Sequence, residues 1–283
     1  MTDIRKVGVV GLGTMGAGIA QVSVQAGYET VAREVTEELG ERGRETIERY
    51  LTRGVEKRRL TQEECDAALG RLALTTELSD LADCDLVIEA VLEELDLKRE
   101  VFAELDRLTR PEAVLSTNTS ALSVSEIADA TTHPERVVGM HFFNPAPVLP
   151  LVEIVRAPHS SDAAVETGYT WGEAAGKQPV RCNDTPGFIV NRILIPLLND
   201  CVRVLDEADV RPEDMDKAMT NGAGWPMGPC ALIDLIGVDV HVHASGALHA
   251  KLGEPRMAPP ERLVQMQQDG RLGRKSGGGF YSY

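Results

Sequence analysis

The amino-acid sequence predicts an α/β chain, in which a doubly wound, mostly parallel sheet with a helical pair inserted after the second strand precedes an all-helical C-terminal domain. Over the first 185 or so residues, short Val, Ile and Leu runs alternate with longer amphipathic stretches, as in βαβ units. A charged stretch at residues 35–72 is longer than a plain crossover needs. Beyond residue 187, apolar residues recur at helical spacing and no comparable strand run follows.

The predicted strands are apolar runs bounded by turn signals. In chain order they are Lys6–Val10, Glu29–Arg33, Leu86–Glu89, Val114–Thr117, Arg136–Met140 and Leu151–Val155. Between the second and third runs, residues 61–64 read Thr-Gln-Glu-Glu, which has the form of a capping box at a helix start. We therefore predict two helices in the charged stretch, projecting from the sheet.

The C-terminal part carries helix signals alone. Its first helix is indicated by apolar residues at helical spacing, namely Ile189, Ile193, Leu194, Leu197, Leu198, Cys201 and Leu205. Pro212 and Pro260 lie where helices start, and Gly237 and Gly270 suit helix ends. These signals predict one domain at residues 1–185 and a second at residues 186–283.

Composition excludes several classes of partner. Asp and Glu number 44 against 29 Lys and Arg, and the net charge of −15 argues against binding nucleic acid or an anionic membrane. The 5 cysteines are scattered without a CxxC pair, which fits a reducing compartment. Neither a secretion signal nor an uninterrupted apolar span is found, so the sequence predicts a cytoplasmic protein with no membrane partner.

A glycine-rich segment follows the first predicted strand and opens an apolar-patterned helix. This context favours a Rossmann-type dinucleotide site, in which glycines allow a tight turn and close approach to a pyrophosphate. The predicted cofactor-binding residues of the turn are Gly11, Leu12, Gly13, Thr14, Met15 and Gly16. Glu34 ends the second strand, where a carboxylate accepts both ribose hydroxyls of NAD, whereas its neighbour Arg33 could pair with the 2′-phosphate of NADP. We predict NAD as the cofactor, with NADP less favoured; the alternative is that the glycines only shape a strand-to-helix turn.

An ionisable pair is predicted in two apolar strands. Glu153 lies inside an apolar run, where an unpaired carboxylate costs several kcal/mol. His141 ends the preceding strand, and a short Pro-rich connection brings the two strands together. A histidine oriented by a buried carboxylate is the usual construction of a general base. A structural His–Glu pair remains the alternative at this stage.

Several other polar residues are also candidate site residues. Ser120 follows a predicted strand and faces the crevice at its carboxyl end, or it caps a helix. Asn191 lies among apolar neighbours, where a buried amide needs partners. His241, His243 and His249 do not share one helical face, so we predict no metal site.

Seven segments together resemble the short-chain L-3-hydroxyacyl-CoA dehydrogenase family, which includes bacterial 3-hydroxybutyryl-CoA dehydrogenases. In order, they are Gly11–Gly16, Asp85–Ala90, Ser116–Ser120, His141–Pro145, Asp184–Arg192, Gly222–Pro229 and Gly273–Tyr281. The resemblance implies NAD-dependent oxidation of a short-chain (S)-3-hydroxyacyl-CoA to the 3-oxoacyl-CoA, and the reverse. It also implies a homodimer formed through the C-terminal domain.

The resemblance further implies roles for single residues. His141 matches the catalytic base, Glu153 the carboxylate that orients it, and Ser120 and Asn191 the groups that bind the substrate oxygen. Further cofactor contacts are implied for Glu93, Lys98, Asn118, Asn144 and Lys275, and further substrate contacts for Asn144 and, on CoA, for Lys57. Tyr50 stands where the family pattern has a serine.

Two rival functions stay open at this stage. The same chemistry could act on a hydroxyacyl group held by acyl carrier protein, an acidic partner that would use the basic residues between Arg42 and Arg59. Alternatively, the chain could be a non-catalytic dinucleotide-binding protein of the crystallin kind, against which the joint presence of the catalytic residues argues.

Overall fold

The computed structural model describes residues 4–283, and the chain divides into two compact units after Phe188. The N-terminal unit is an α/β layer structure, and the C-terminal unit is helical. The predicted fold class is therefore confirmed. The sequence placed the boundary between the two domains after residue 185.

The N-terminal unit is built on an eight-stranded sheet, as far as residues 4–188 describe it. Its strands are β1 (Lys6–Val10), β2 (Glu29–Arg33), β3 (Leu72–Thr75), β4 (Leu86–Glu89), β5 (Val114–Thr117), β6 (Val137–Phe142), β7 (Leu151–Arg156) and β8 (Gln178–Asn183). They are ordered β3-β2-β1-β4-β5-β6-β7-β8, and all neighbours are parallel except the antiparallel pair β6 and β7. The strand order reverses between β1 and β4, and such a switch point leaves a crevice at the carboxyl ends of the strands.

Helices cover both faces of this sheet. They are α1 (Thr14–Gln25), α2 (Glu37–Glu56), α3 (Gln62–Leu69), α4 (Leu95–Leu108), α5 (Val124–Ala128) and α6 (Asp162–Ala174). The predicted helical pair is α2 and α3, and the capping box of Thr61 and Glu64 is present at the start of α3. The pair also packs on the sheet layer rather than only projecting from it, because Ile47 and Cys65 are buried in the same core as Val7.

Three details of the strands differ from the predictions. β3 and β8 were missed because edge strands lack a continuous apolar run: β3 is short, and β8 is mostly exposed and contains Pro179. β6 starts at Val137, since Arg136 belongs to a short 3₁₀ turn. β6 also extends to Phe142, so His141 is its next-to-last residue.

The C-terminal unit packs its helices around an apolar core. They are α7 (Val190–Glu207), α8 (Pro212–Gly222), α9 (Pro229–Ile236), α10 (Val238–Leu252) and α11 (Glu261–Gln268). The core contains Leu198 of α7, Ile233 of α9 and Leu263 of α11. Among the helices of residues 4–283, none alone is long and apolar enough to cross a membrane; α9 and α10 reach that length and composition only as a pair bent by 95°.

A buried polar cluster joins α7 to α10 inside this unit. The His241 ring and the Asn199 side chain are buried, and His241 Nε2 donates to Asn199 Oδ1 over 2.8 Å. Asn199 Nδ2 in turn donates to Ser245 Oγ over 2.8 Å. Burial lowers the pKa of His241 to about 4, so this imidazole is a neutral core group at neutral pH.

Candidate functional site

The glycine-rich turn joins β1 to α1 with little space to spare. Gly11 has a φ of +89°, which favours glycine. A Cβ on Gly16 would stand 1.7 Å from the Gly11 carbonyl oxygen, so only glycine fits there. A Cβ on Gly13, in contrast, would meet no heavy atom of residues 4–283 within 4 Å. The turn is closed on its protein side and open on the side from which a ligand approaches.

This turn fits the pyrophosphate of a dinucleotide. The residue before α1 is Gly13, which has no side chain to cap the helix, so amide donors of the first turn remain for an anion. Thr14 borders the adjacent cavity, and Met15 packs against the core. The start of α1 therefore provides amide donors and free space for the expected cofactor.

Glu34 is fixed beside the turn by its own carboxylate. Its Oε1 accepts from the Leu12 amide over 2.7 Å, and its Oε2 accepts from the Val35 amide over 3.0 Å. Each oxygen keeps a lone pair for a ribose hydroxyl. The neighbouring Arg33 donates from Nε to the Thr76 carbonyl over 3.1 Å. The arginine is thus tied to the segment after β3, and the carboxylate borders the cavity.

A cavity of about 610 Å³ runs from this turn along α2. One wall carries Leu12, Gly13 and Glu34, and α2 contributes residues from Leu39 to Tyr50. The facing wall is the loop between β6 and β7, from Asn144 to Val148. The cavity is large enough for part of a nucleotide-containing ligand.

The β6–β7 loop is held in place from beneath. Lys177 donates from Nζ to the carbonyl oxygens of Ala146, over 2.5 Å, and Leu149, over 3.1 Å. Burial lowers the pKa of Lys177. Asn144 is exposed at the start of the loop, where it borders the cavity. The hydrogen bonds from Lys177 therefore fix the backbone of the loop in which Asn144 borders the cavity.

His141 and Glu153 form a buried pair across two antiparallel strands. The register of β6 and β7 sets them directly opposite each other, and His141 Nδ1 lies 2.6 Å from Glu153 Oε2. The Glu153 side chain is fully buried, and rings of Phe143 and Phe188 flank the imidazole at centroid distances of 4.5 and 5.5 Å. An ionised carboxylate only accepts, so Nδ1 is the donor, and in the neutral form of such an imidazole Nε2 carries the lone pair. The arrangement suits a general acid/base.

Ser120 belongs to a loop that is organised by Glu93. Glu93 Oε1 accepts from the Thr119 hydroxyl over 2.6 Å and from the amides of Ser120 and Ala121 over 2.8 and 3.1 Å. Burial raises the pKa of Glu93, but the ammonium of Lys98 and these hydrogen bonds outweigh it and hold that pKa below its usual value. The helix cap predicted as an alternative for Ser120 is wrong, because Ser123 caps α5.

Beneath this loop lies a buried carboxylate that the sequence analysis missed. Glu89 ends β4, is fully buried, and accepts from Lys98 Nζ over 2.6 Å and from the Thr117 hydroxyl over 2.7 Å. Lys98 is only 1% exposed and also lies 3.3 Å from Glu93. A glutamate that ends an apolar run was the available signal, the same one that singled out Glu153.

The remaining predicted residues lie at separate places in the two units. Asn118 accepts at Oδ1 from the Phe142 amide over 2.9 Å, which ties the end of β5 to β6. Lys57 is exposed at the C-terminal end of α2. In the C-terminal unit, Asn191 is the second residue of α7, and Lys275 pairs with Asp239 at 2.6 Å. Within residues 4–283, no three His, Cys, Asp or Glu side chains are placed to hold a metal ion.

Comparison with known proteins gives a consistent picture over the whole chain. The family model described as 3-hydroxyacyl-CoA dehydrogenase, NAD binding domain, matches residues 6–185, and the model of the C-terminal domain of that family matches residues 187–283. The 3-hydroxybutyryl-CoA dehydrogenase of Mycobacterium tuberculosis is 46% identical over 286 residues, covering 100% of each chain. A probable 3-hydroxybutyryl-CoA dehydrogenase of Deinococcus radiodurans is 42% identical over 278 residues, covering 98% of this chain and 100% of the relative. The crystal structure of M. tuberculosis FadB2 superposes with a TM-score of 0.96 at 46% identity, covering 99% of each chain.

Proposed function

This chain belongs to the 3-hydroxyacyl-CoA dehydrogenase family, and from that premise we propose that it oxidises (S)-3-hydroxyacyl-CoA to 3-oxoacyl-CoA with NAD and catalyses the reverse reduction. The observation that carries the proposal is the 2.6 Å pair of His141 and Glu153 at the carboxyl-end side of the sheet. A neutral imidazole with its Nδ1 proton held by a buried carboxylate is prepared to take a proton at Nε2.

The protein's part in the chemistry is to hold and move one proton. His141 Nε2 removes the hydroxyl proton of the substrate as the C3 hydride leaves, and Glu153 stabilises the imidazolium that forms. In the reverse direction, the imidazolium returns the proton to the developing alkoxide. Ser120 and Asn191 are proposed to bind the reacting oxygen by hydrogen bonds. Bound nicotinamide supplies the hydride acceptor and donor.

Residues of the turn and of the loop after β4 are proposed to position the cofactor. The amides at the start of α1 hold the pyrophosphate, and Glu34 accepts the ribose hydroxyls. Asn118, Asn144 and Lys275 complete the nicotinamide end. Glu93 and Lys98 are proposed as further cofactor contacts; Glu93 accepts from the Ser120 amide and lies 3.3 Å from Lys98.

NAD is the preferred cofactor in this proposal. A 2′-phosphate would meet the Glu34 carboxylate, while the Arg33 guanidinium donates to Thr76. A discrimination of about 1.4 to 2.8 kcal/mol corresponds to roughly ten- to a hundredfold in kcat/KM.

The substrate is proposed to be a short-chain thioester, 3-hydroxybutyryl-CoA, in line with the names of the similar proteins from M. tuberculosis and D. radiodurans. We also propose a homodimer formed through the C-terminal unit, acting in the cytoplasm. Sedimentation velocity of the full chain tests the dimer.

A single activity screen tests the proposed function. The purified chain is given acetoacetyl-CoA and longer 3-oxoacyl-CoA thioesters with NADH or NADPH, and loss of reduced cofactor is followed. We expect turnover with the highest kcat/KM for acetoacetyl-CoA and NADH. Absence of turnover with every thioester would contradict the proposed reaction, and a higher kcat/KM with NADPH would contradict only the cofactor assignment.

A further inference from the structure

Three charged side chains contact one another in sequence beneath the loop that carries Ser120. Glu89 ends β4 and Thr117 ends β5, and the parallel register pairs these two residues. Glu89 is fully buried, and its Oε2 accepts from the Thr117 hydroxyl over 2.7 Å. Its Oε1 accepts from the Val91 amide and from Lys98 Nζ, both over 2.6 Å. Donors from three different segments therefore hold the Glu89 carboxylate in one place.

Lys98 links this carboxylate to a second one. Its side chain is 1% exposed, and its Nζ lies 3.3 Å from Glu93 Oε2 as well as 2.6 Å from Glu89 Oε1. A buried ammonium needs counter-charges, and its flexible four-carbon stem does not by itself hold the charge in one place. The shorter contact, with a carboxylate that is itself held, sets the position of the ammonium. Glu93 Oε2 therefore faces a positive charge of fixed position.

The other oxygen of Glu93 organises the loop. Glu93 Oε1 accepts from the Thr119 hydroxyl over 2.6 Å and from the Ser120 amide over 2.8 Å. If Glu89 lost its charge, the Lys98 ammonium would move towards Glu93, the other carboxylate that it contacts. There it would compete with the loop donors for the carboxylate oxygens. The orientation of Ser120 thus depends on a carboxylate that is buried away from any ligand.

We propose that Glu89 is a positioning residue, which acts through Lys98 and Glu93 to hold Ser120 in place for its hydrogen bond to the reacting oxygen. This inference rests on the proposed dehydrogenase function, in which Ser120 binds that oxygen. A displacement of about 1 Å at a group that orients the substrate can cost about a hundredfold in rate. A small shift of the loop is therefore enough to be measured.

A double-mutant cycle with Ser120→Ala separates this role from a structural one. The kcat for oxidation of 3-hydroxybutyryl-CoA is measured at saturating NAD for wild type, Glu89→Gln, Ser120→Ala and the double variant. We expect Glu89→Gln alone to lower kcat by roughly ten- to a hundredfold. In the Ser120→Ala background, the same substitution should lower kcat by less than about twofold, because the group through which Glu89 acts is gone.

Asp106→Asn is the matched control for the loss of a buried ion pair. Asp106 is a buried carboxylate of α4 that lies 2.7 Å from Arg136, in the turn before β6. This pair is at the amino end of β6, whereas Ser120 follows the carboxyl end of the parallel strand β5. Asp106→Asn should change kcat by less than about twofold in both backgrounds.

Hydrogen exchange gives a second readout that needs no turnover. In Glu89→Gln, the amides of Ser120 and Ala121, which both donate to Glu93, should exchange about tenfold faster than in wild type. Asp106→Asn should leave these two rates unchanged. Glu89→Asp keeps the charge but withdraws it by one methylene group, so it should show smaller effects of the same kind, and it replaces Glu89→Gln in the cycle if that variant does not fold.

An equal fall in kcat in both backgrounds would overturn the inference, whether Glu89 then acts through general stability or through a cofactor contact of Lys98. Unchanged amide exchange at Ser120 and Ala121 in Glu89→Gln would overturn it as well. A wild-type chain without turnover would contradict the proposed function, and amide exchange would still decide whether Glu89 positions the loop.

Discussion

Replacing Glu153 by glutamine tests whether the His141–Glu153 pair acts in catalysis or only stabilises the fold. The substitution keeps the shape of a fully buried side chain but removes the charge that lies 2.6 Å from His141 Nδ1. With the charge centres about 4 Å apart and an effective dielectric constant of 20, the imidazolium loses about 4 kcal/mol of stabilisation, or about 10³-fold in rate. The imidazolium is only partly developed in the transition state, so we expect kcat to fall by about 10²- to 10³-fold.

The assay measures kcat for oxidation of 3-hydroxybutyryl-CoA by NAD, the Kd for NADH and the midpoint of thermal unfolding. Glu166→Gln is the matched control, because it removes an exposed carboxylate paired with Arg181. We expect the control to match wild type in all three measurements and Glu153→Gln to keep the wild-type Kd for NADH. If Glu153→Gln keeps more than about a tenth of wild-type kcat while its unfolding midpoint falls, the pair is structural and the reasoning is refuted.

Three further predictions concern the turn, the cofactor preference and the C-terminal core. Gly16→Ala forces a Cβ to within 1.7 Å of the Gly11 carbonyl oxygen, so the Kd for NADH by fluorescence titration should rise by about tenfold or more; an unchanged Kd would remove the turn from the cofactor site. Glu34→Gln keeps an acceptor for the Leu12 amide but loses the repulsion of a 2′-phosphate, so the ratio of kcat/KM for NADH to that for NADPH should fall towards one, and a constant ratio would contradict the assignment. Burial lowers the pKa of His241 from 6.5 to about 4. As pH falls below 6.5, the unfolded state therefore binds a proton at this imidazole before the folded state does. The free energy of unfolding should fall by about 3 kcal/mol between pH 6.5 and a pH of about 4. The free energy of unfolding, measured with urea, should fall less over that pH interval for His241→Gln than for wild type. An equal fall in both proteins would show that this imidazole does not set the acid sensitivity.

The central part of the fold could be predicted because its signals are local. β1, β4 and β5 are central strands that are buried along almost all of their length and contain short apolar runs, and their predicted bounds match the structure. The edge strands could not be predicted in the same way. β8 is mostly exposed and has one buried position, Pro179, so its pairing with β7 depends on tertiary context.

The candidate site was predictable wherever burial conflicts with charge. Glu153 stood out as a carboxylate in an apolar run, and the structure supplies its partner through the antiparallel register of β6 and β7. Glu89 carried the same signal, but its partners Lys98 and Thr117 come from a following helix and a neighbouring strand. No spacing rule in the sequence connects those three residues, so only the folded arrangement reveals the cluster.

The role of His141 is the central claim, and one substitution tests it most directly. His141→Ala leaves the glycine-rich turn and Glu34 unaltered, so the Kd for NADH should stay near that of wild type. The measurement is kcat for oxidation of 3-hydroxybutyryl-CoA by NAD. The account predicts a fall of about 10²- to 10⁴-fold, the usual contribution of general acid/base catalysis. A variant that binds NADH normally and retains more than about a tenth of the wild-type kcat would contradict it.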